Sequence, residues 1–170
     1  MNTVAIAVTL TAALLMSAGC SGGAHIISPF GSGYGAEGYP RVDGPHNGID
    51  VAGMVGEPVL AAADGSISFA QEKFGNCGTV VMIRHDDGFQ TMYCHLRDFV
   101  KDSGAVRRGE VIGHLGTTGR APGRGYEHVH FSLKSYGTFI DPMTKISGCF
   151  EAGKVYPEQL TLTYPVQCKN

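Results

Sequence analysis

The sequence predicts a mainly β fold: a single compact domain of antiparallel β-sheets with little helix. Three observations carry this. Short apolar or alternating runs recur along the chain, bounded by turn residues. Glycine is abundant, at 25 of 170 residues, and punctuates those runs. The tripeptide Asp86-Asp87-Gly88 separates two of them and marks a hairpin turn. A length of 170 residues and a hydrophobic content of 43% suit one domain with a real core.

In chain order, "MNTVAIAVTLTAALLMSAGC" comes first. It is apolar from Val4 to Met16 and small from Ser17 to Gly19, too short for a spanning helix. Residues 1–19 are expected to be a signal peptide. "SAGC" resembles a bacterial lipobox, in which Cys20 would carry lipid; the alternative is a soluble secreted protein. Ser21 to Gly44 is a glycine-rich lead-in. Candidate strands follow at 58–63, 65–71, 79–85, 89–96, 110–116 and 128–134. "RDFVKD" (97–102) is expected to make one or two helical turns, and "DPMTKI" (141–146) a short one; "TLTYPV" (161–166) reads as extended. No internal repeat, coiled coil or second domain is visible.

The net charge is −2, with no basic block. Nucleic-acid binding therefore has no electrostatic support. Of five cysteines, giving Cys20 to lipid leaves four, an even number suited to two disulfides in an oxidising compartment. Three connectivities are possible. Cys77–Cys94, flanking the hairpin, and Cys149–Cys168, tying down the C-terminal tail, are favoured.

The chemistry concentrates in three stretches. In "YEHVHFSL" (126–133), His128 and His130 share one face of a strand, with Val129 and Phe131 on the other. In "GPHNGIDVAG" (44–53), Pro45 and Gly48 argue for a loop running into a strand, on which His46 and Asp50 can converge. "TMYCHL" (91–96) adds His95. Two imidazoles, one carboxylate and an open fourth position make a catalytic zinc arrangement, whereas a structural site closes all four. His25, His85 and His114 read as surface or satisfied core histidines. Strand alternation turns Glu127 away from the histidine pair.

The ordered set "HNGIDVAG", "PVLAAADGSI", "TMYCHL", "VIGHLGTTGR" and "HVHFSL", with "ISPFGSGYG" before it, resembles the lysostaphin-type (LytM-like) zinc endopeptidases of bacterial cell walls. The resemblance covers residues 29–142, after a lipidated linker at 20–28 and before a C-terminal extension at 143–170 packed on the domain. It implies the LytM-like peptidase β fold and one zinc ion on His46, Asp50 and His130. It makes His128 the general base or water-orienting residue, and His95 the partner that polarises water or stabilises the oxyanion. It further implies a peptidoglycan peptide substrate. The expected location is the cell envelope, as a monomeric lipoprotein held to a membrane through Cys20 and facing the periplasm, on the outer membrane. All five positions are present. The alternatives are a non-catalytic wall-binding or amidase-activating module, and a zinc-stabilised structural lipoprotein. Two departures stand out: a longer loop, "RAPGRGYEHVH", carrying Arg124 and Tyr126, and Ser132 where many relatives carry Glu.

Overall fold

A computed structural model of the chain describes residues 23–121, 123, 125–157 and 159–169. The expected signal peptide, Cys20 and Arg124 lie outside the described residues. Ten strands follow one another: β1 Ile26–Ser28, β2 Ile49–Ala52, β3 Pro58–Leu60, β4 Gly65–Phe74, β5 Gly78–Arg84, β6 Phe89–Phe99, β7 Gly104–Val106, β8 Val111–Leu115, β9 His128–Ser135 and β10 Thr138–Ile140. Helix among the described residues is confined to two 3-10 turns, Gly75–Cys77 and Pro142–Thr144. Every strand pairing is antiparallel, in the order β1-β2-β9-β6-β5-β4-β7. Strand β10 extends β9, and β3 joins through β8 to β6.

The core is laid down by alternation. Ile49 and Val51 of β2, and Val129, Phe131 and Leu133 of β9, are fully buried on one face. Tyr93 and Leu96 of β6 and Val81 and Ile83 of β5 join them. The Tyr93 and Phe131 rings lie 5.2 Å apart at 51°, a tilted contact that adds about 0.5–1.5 kcal/mol to their area burial. The buried Tyr93 hydroxyl accepts from Ala62 N–H at 2.9 Å, which satisfies a polar atom the core could not leave bare. From the C-terminal segment, Leu162 and Val166 pack into the same core.

Strand β6 changes partner midway. It pairs with β9 from Phe89 to Cys94 and with β8 from Leu96 to Phe99. At the change, β6 runs four residues, Tyr93 to Leu96, against three of β5, Val81 to Thr79. That extra residue is a β-bulge, and His95 within it adopts φ of 65°. The expected helical turn over 97–102 is not formed. "RDF" continues β6 because β8 offers it an edge, and Asp98 lies opposite His114. Strands β1, β7 and β10, three residues each, are too short to show a period in the sequence. The disulfides are Cys77–Cys94 and Cys149–Cys168, the favoured pairing.

Candidate metal centre

The site forms where β2, β9 and β6 run side by side. In the ladder Asp50 faces His130, Ala52 faces His128, and Cys94 faces His130 from the other side. Since Ile49, Val51, Val129 and Phe131 point into the core, Asp50, His128 and His130 must share the opposite face. His46 reaches it from the preceding loop, fixed by backbone bonds to Gly31 and Ser32. Gly48 makes the approach possible: a Cβ there would lie 2.5 Å from the Phe131 carbonyl and 2.9 Å from the His130 ring. His95 would point into the core beside Tyr93 if alternation held. The bulge rotates it out, and its ring sits 5.0 Å from that of His128 at 82°.

Three ligand atoms meet. His46 Nε2 is 3.1 Å from Asp50 Oδ1 and 2.9 Å from His130 Nδ1, and His130 Nδ1 is 2.9 Å from Asp50 Oδ1. A tetrahedral ion with bonds of 2.0–2.1 Å needs about 3.4 Å between ligand atoms, so a small outward relaxation seats one. Among the described residues this is the one group of three or more such side chains converging in this way. The residues present fit a divalent ion of zinc type: two imidazole nitrogens, one carboxylate oxygen and no fourth protein ligand.

Surrounding bonds fix the tautomers, because a carbonyl only accepts. His46 Nδ1–H donates to the Pro29 carbonyl at 3.0 Å, which leaves Nε2 bare for a metal. His128 Nδ1–H donates to the Tyr126 carbonyl at 2.7 Å, and His95 Nδ1–H to the Thr118 carbonyl at 2.9 Å. Both therefore turn an unprotonated Nε2 toward the site. His130 bonds Ser132 Oγ through Nε2 at 2.8 Å, freeing Nδ1 as the ligand atom. Ser132 is fully buried. Burial raises the Asp50 pKa, but the adjoining His130 and His46 side chains outweigh it and hold the carboxyl far below the usual range. Burial lowers His130 and takes His95 down to about 4.

Several residues that carry the site gave no sequence signal. Arg41 donates to Asp50 Oδ2 at 2.9 Å and to Ser28 Oγ at 3.0 Å. Ser28 Oγ in turn lies 3.3 Å from His46 Nδ1. Thr118 Oγ1 donates to the Leu96 carbonyl and accepts from Thr79 N–H, so the segment receiving His95 is pinned across the bulge. These are ordinary polar residues, and only their placement marks them. The remaining histidines sit apart. His85 is buried and bonded to the Asp64 carbonyl and Thr91, His114 pairs with Asp98 at 2.6 Å, and His25 is exposed. Glu127 accepts from Gly125 N–H at 3.0 Å and takes no part in the triad.

An antiparallel sheet presenting His, Asp and His to one point, with two further histidines beside it, has the make-up of a metallopeptidase. The chain belongs to peptidase family M23, which its residues 44–142 match. It is 46% identical over 99 residues to the DD-carboxypeptidase/endopeptidase Mpg of Neisseria meningitidis, covering 58% of this chain but 22% of that relative. The chain thus spans about a fifth of that curated relative's length. Among solved structures it is similar to a zinc-containing peptidase from Vibrio cholerae, with TM-score 0.59 and 30% identity over 70% of this chain and 36% of that one. It is also similar to the catalytic domain of lysostaphin from Staphylococcus simulans, with TM-score 0.55 and 28% identity over 71% of this chain and 87% of that one.

Proposed function

We propose that the chain is a zinc-dependent endopeptidase that hydrolyses peptide cross-links or bridges in bacterial peptidoglycan. The observation that carries this is the convergence of His46 Nε2, Asp50 Oδ1 and His130 Nδ1 within 2.9–3.1 Å of one another, faced by the bare Nε2 atoms of two more histidines. A non-catalytic binding module has no need of His95 and His128 so arranged. The relatives named as peptidases point the same way.

His46, Asp50 and His130 would hold the ion. A divalent ion there supplies a Lewis acid and an acidified water. His128 is the general base: its Nε2, kept bare by the Tyr126 carbonyl, takes a proton from water and returns it to the leaving amine. His95 is neutral at pH 7, since burial holds its pKa near 4. With Nδ1–H committed to Thr118, its Nε2 accepts and cannot donate. Of the two roles expected for it, this favours orienting water over stabilising an oxyanion. Arg41 draws Asp50 Oδ2 away from the ligand side and fixes the carboxylate's plane.

The two disulfides suit an oxidising compartment, and the proposed location is the cell envelope, facing the periplasm, with lipid on Cys20 as the tether. Zinc content and release of soluble fragments from purified wall, in wild type and His128→Ala, test the proposal. Wild type is expected to hold one zinc and release fragments; the variant keeps the zinc and loses the release. Zinc binding by wild type with no wall release would overturn it.

A further inference from the structure

The groove over the triad has a volume of about 380 Å³. One wall is a small hairpin that the glycine-rich lead-in builds. Tyr34 bridges Pro40, Arg41 N–H donates to the Gly33 carbonyl at 2.8 Å, and Gly35 and Gly38 close the tip through bonds to Tyr39 and Gly35. Glu37 stands in that tip and lines the groove together with His95, His128 and His130.

The charged residues lining the groove are otherwise paired. Arg41 pairs with Asp50 at 2.9 Å, and Arg120 pairs with Asp43 at 2.5 Å. Glu37 is the exception. Its Oε2 is buried and, among the described residues, is the one buried side-chain nitrogen or oxygen without a hydrogen-bond partner. Leaving a carboxylate oxygen buried and bare is unfavourable, so it calls for a donor. A cation is the strongest donor for it. The backbone makes room for the carboxylate: a Cβ on Gly35 would lie 2.6 Å and 2.7 Å from the two Glu37 oxygens. Gly35 has no positive φ there, and the atoms a Cβ would crowd are the far end of the Glu37 side chain.

We propose that Glu37 is a specificity residue that pairs with an ammonium group of the substrate peptide in the groove. The inference rests on the peptidase reading. It directs the enzyme toward peptides with a free amine near the scissile bond and away from uncharged bridges.

The test uses the zinc-loaded full chain carrying His128→Ala, so that binding is read without turnover. Two D-alanyl peptides serve as probes. They are identical save for one lysine beside the scissile bond, free in one and Nζ-acetylated in the other. Calorimetry is expected to show the free amine bound about 10- to 100-fold tighter. Adding Glu37→Gln should bring that ratio close to one, and so should Gly35→Ala, which evicts the carboxylate while leaving Glu37 in the chain. Equal binding of both peptides before Glu37 is changed overturns the proposal. So does a ratio that survives both substitutions. Tighter binding of both peptides by the Glu37→Gln chain, at an unchanged ratio, would make Glu37 a guard over the ion and also overturn it. Turnover by the otherwise wild-type chain is read separately. Preferential binding with neither peptide cut removes the peptidase reading and leaves the Glu37 assignment standing.

Discussion

At the scale of single residues, the site separates atoms that would touch an ion from atoms that aim them. On the proposed mechanism, His128→Ala removes the proton acceptor without touching a ligand. It is expected to lower kcat by about 10²- to 10⁴-fold at unchanged zinc stoichiometry, read by metal analysis beside wall turnover. Ser132→Ala removes the partner of His130 Nε2. Its expected effect is a roughly 10- to 100-fold weaker zinc affinity, measured by chelator competition. The five residues with chemistry of their own were legible in the sequence, because imidazoles and a carboxylate at strand or loop spacing announce themselves. Arg41, Ser28 and Thr118 were not. Arginine, serine and threonine are common surface residues, and contacts across 9 to 23 residues of chain, such as Arg41 to Asp50 and His95 to Thr118, leave no local pattern.

At the scale of elements, the bulge in β6 is the device that puts His95 in the groove. A residue held at φ of 65° needs its surroundings to hold it there. The Cys77–Cys94 bridge on one side and the Thr118 carbonyl on the other do so. Replacing both cysteines with serine is expected to cost about 2–4 kcal/mol in denaturant unfolding and to lower kcat while zinc stays bound. Full activity in the double variant would show that the bridge has no part in placing His95. Strands β6 and β9 were legible because each alternates between core and groove, and β5 because it is a short apolar run rich in β-branched residues. The far end of β6 was not: "RDF" carries no strand alternation of its own and is held extended by β8. Nor was the hairpin at 33–41 legible, whose glycines suggested only a lead-in with little periodicity.

For the whole molecule, burial of histidines makes stability depend on pH. His85 and His95 are both pushed below the ordinary histidine range by desolvation, His95 to about 4. Unfolding returns each to about 6.5. The unfolded chain therefore binds more protons between the two values, so stability is fully present above about pH 6.5 and is lost as pH falls toward 4. His95 alone contributes on the order of 3 kcal/mol across that window. Urea midpoints of the metal-free protein should fall steadily from pH 7 to pH 4, and a flat profile would contradict the burial of these rings. The sheet order has a further consequence. On β9 the odd residues fill the interior while His128 and His130 face the groove, and β2 is bound to it in matching register. A slip of one position would put Phe131 in water and an imidazole in oil at a single stroke. A threading error would thus disturb the interior and the triad together, and on the proposed function turnover per milligram would double as a count of correctly assembled molecules.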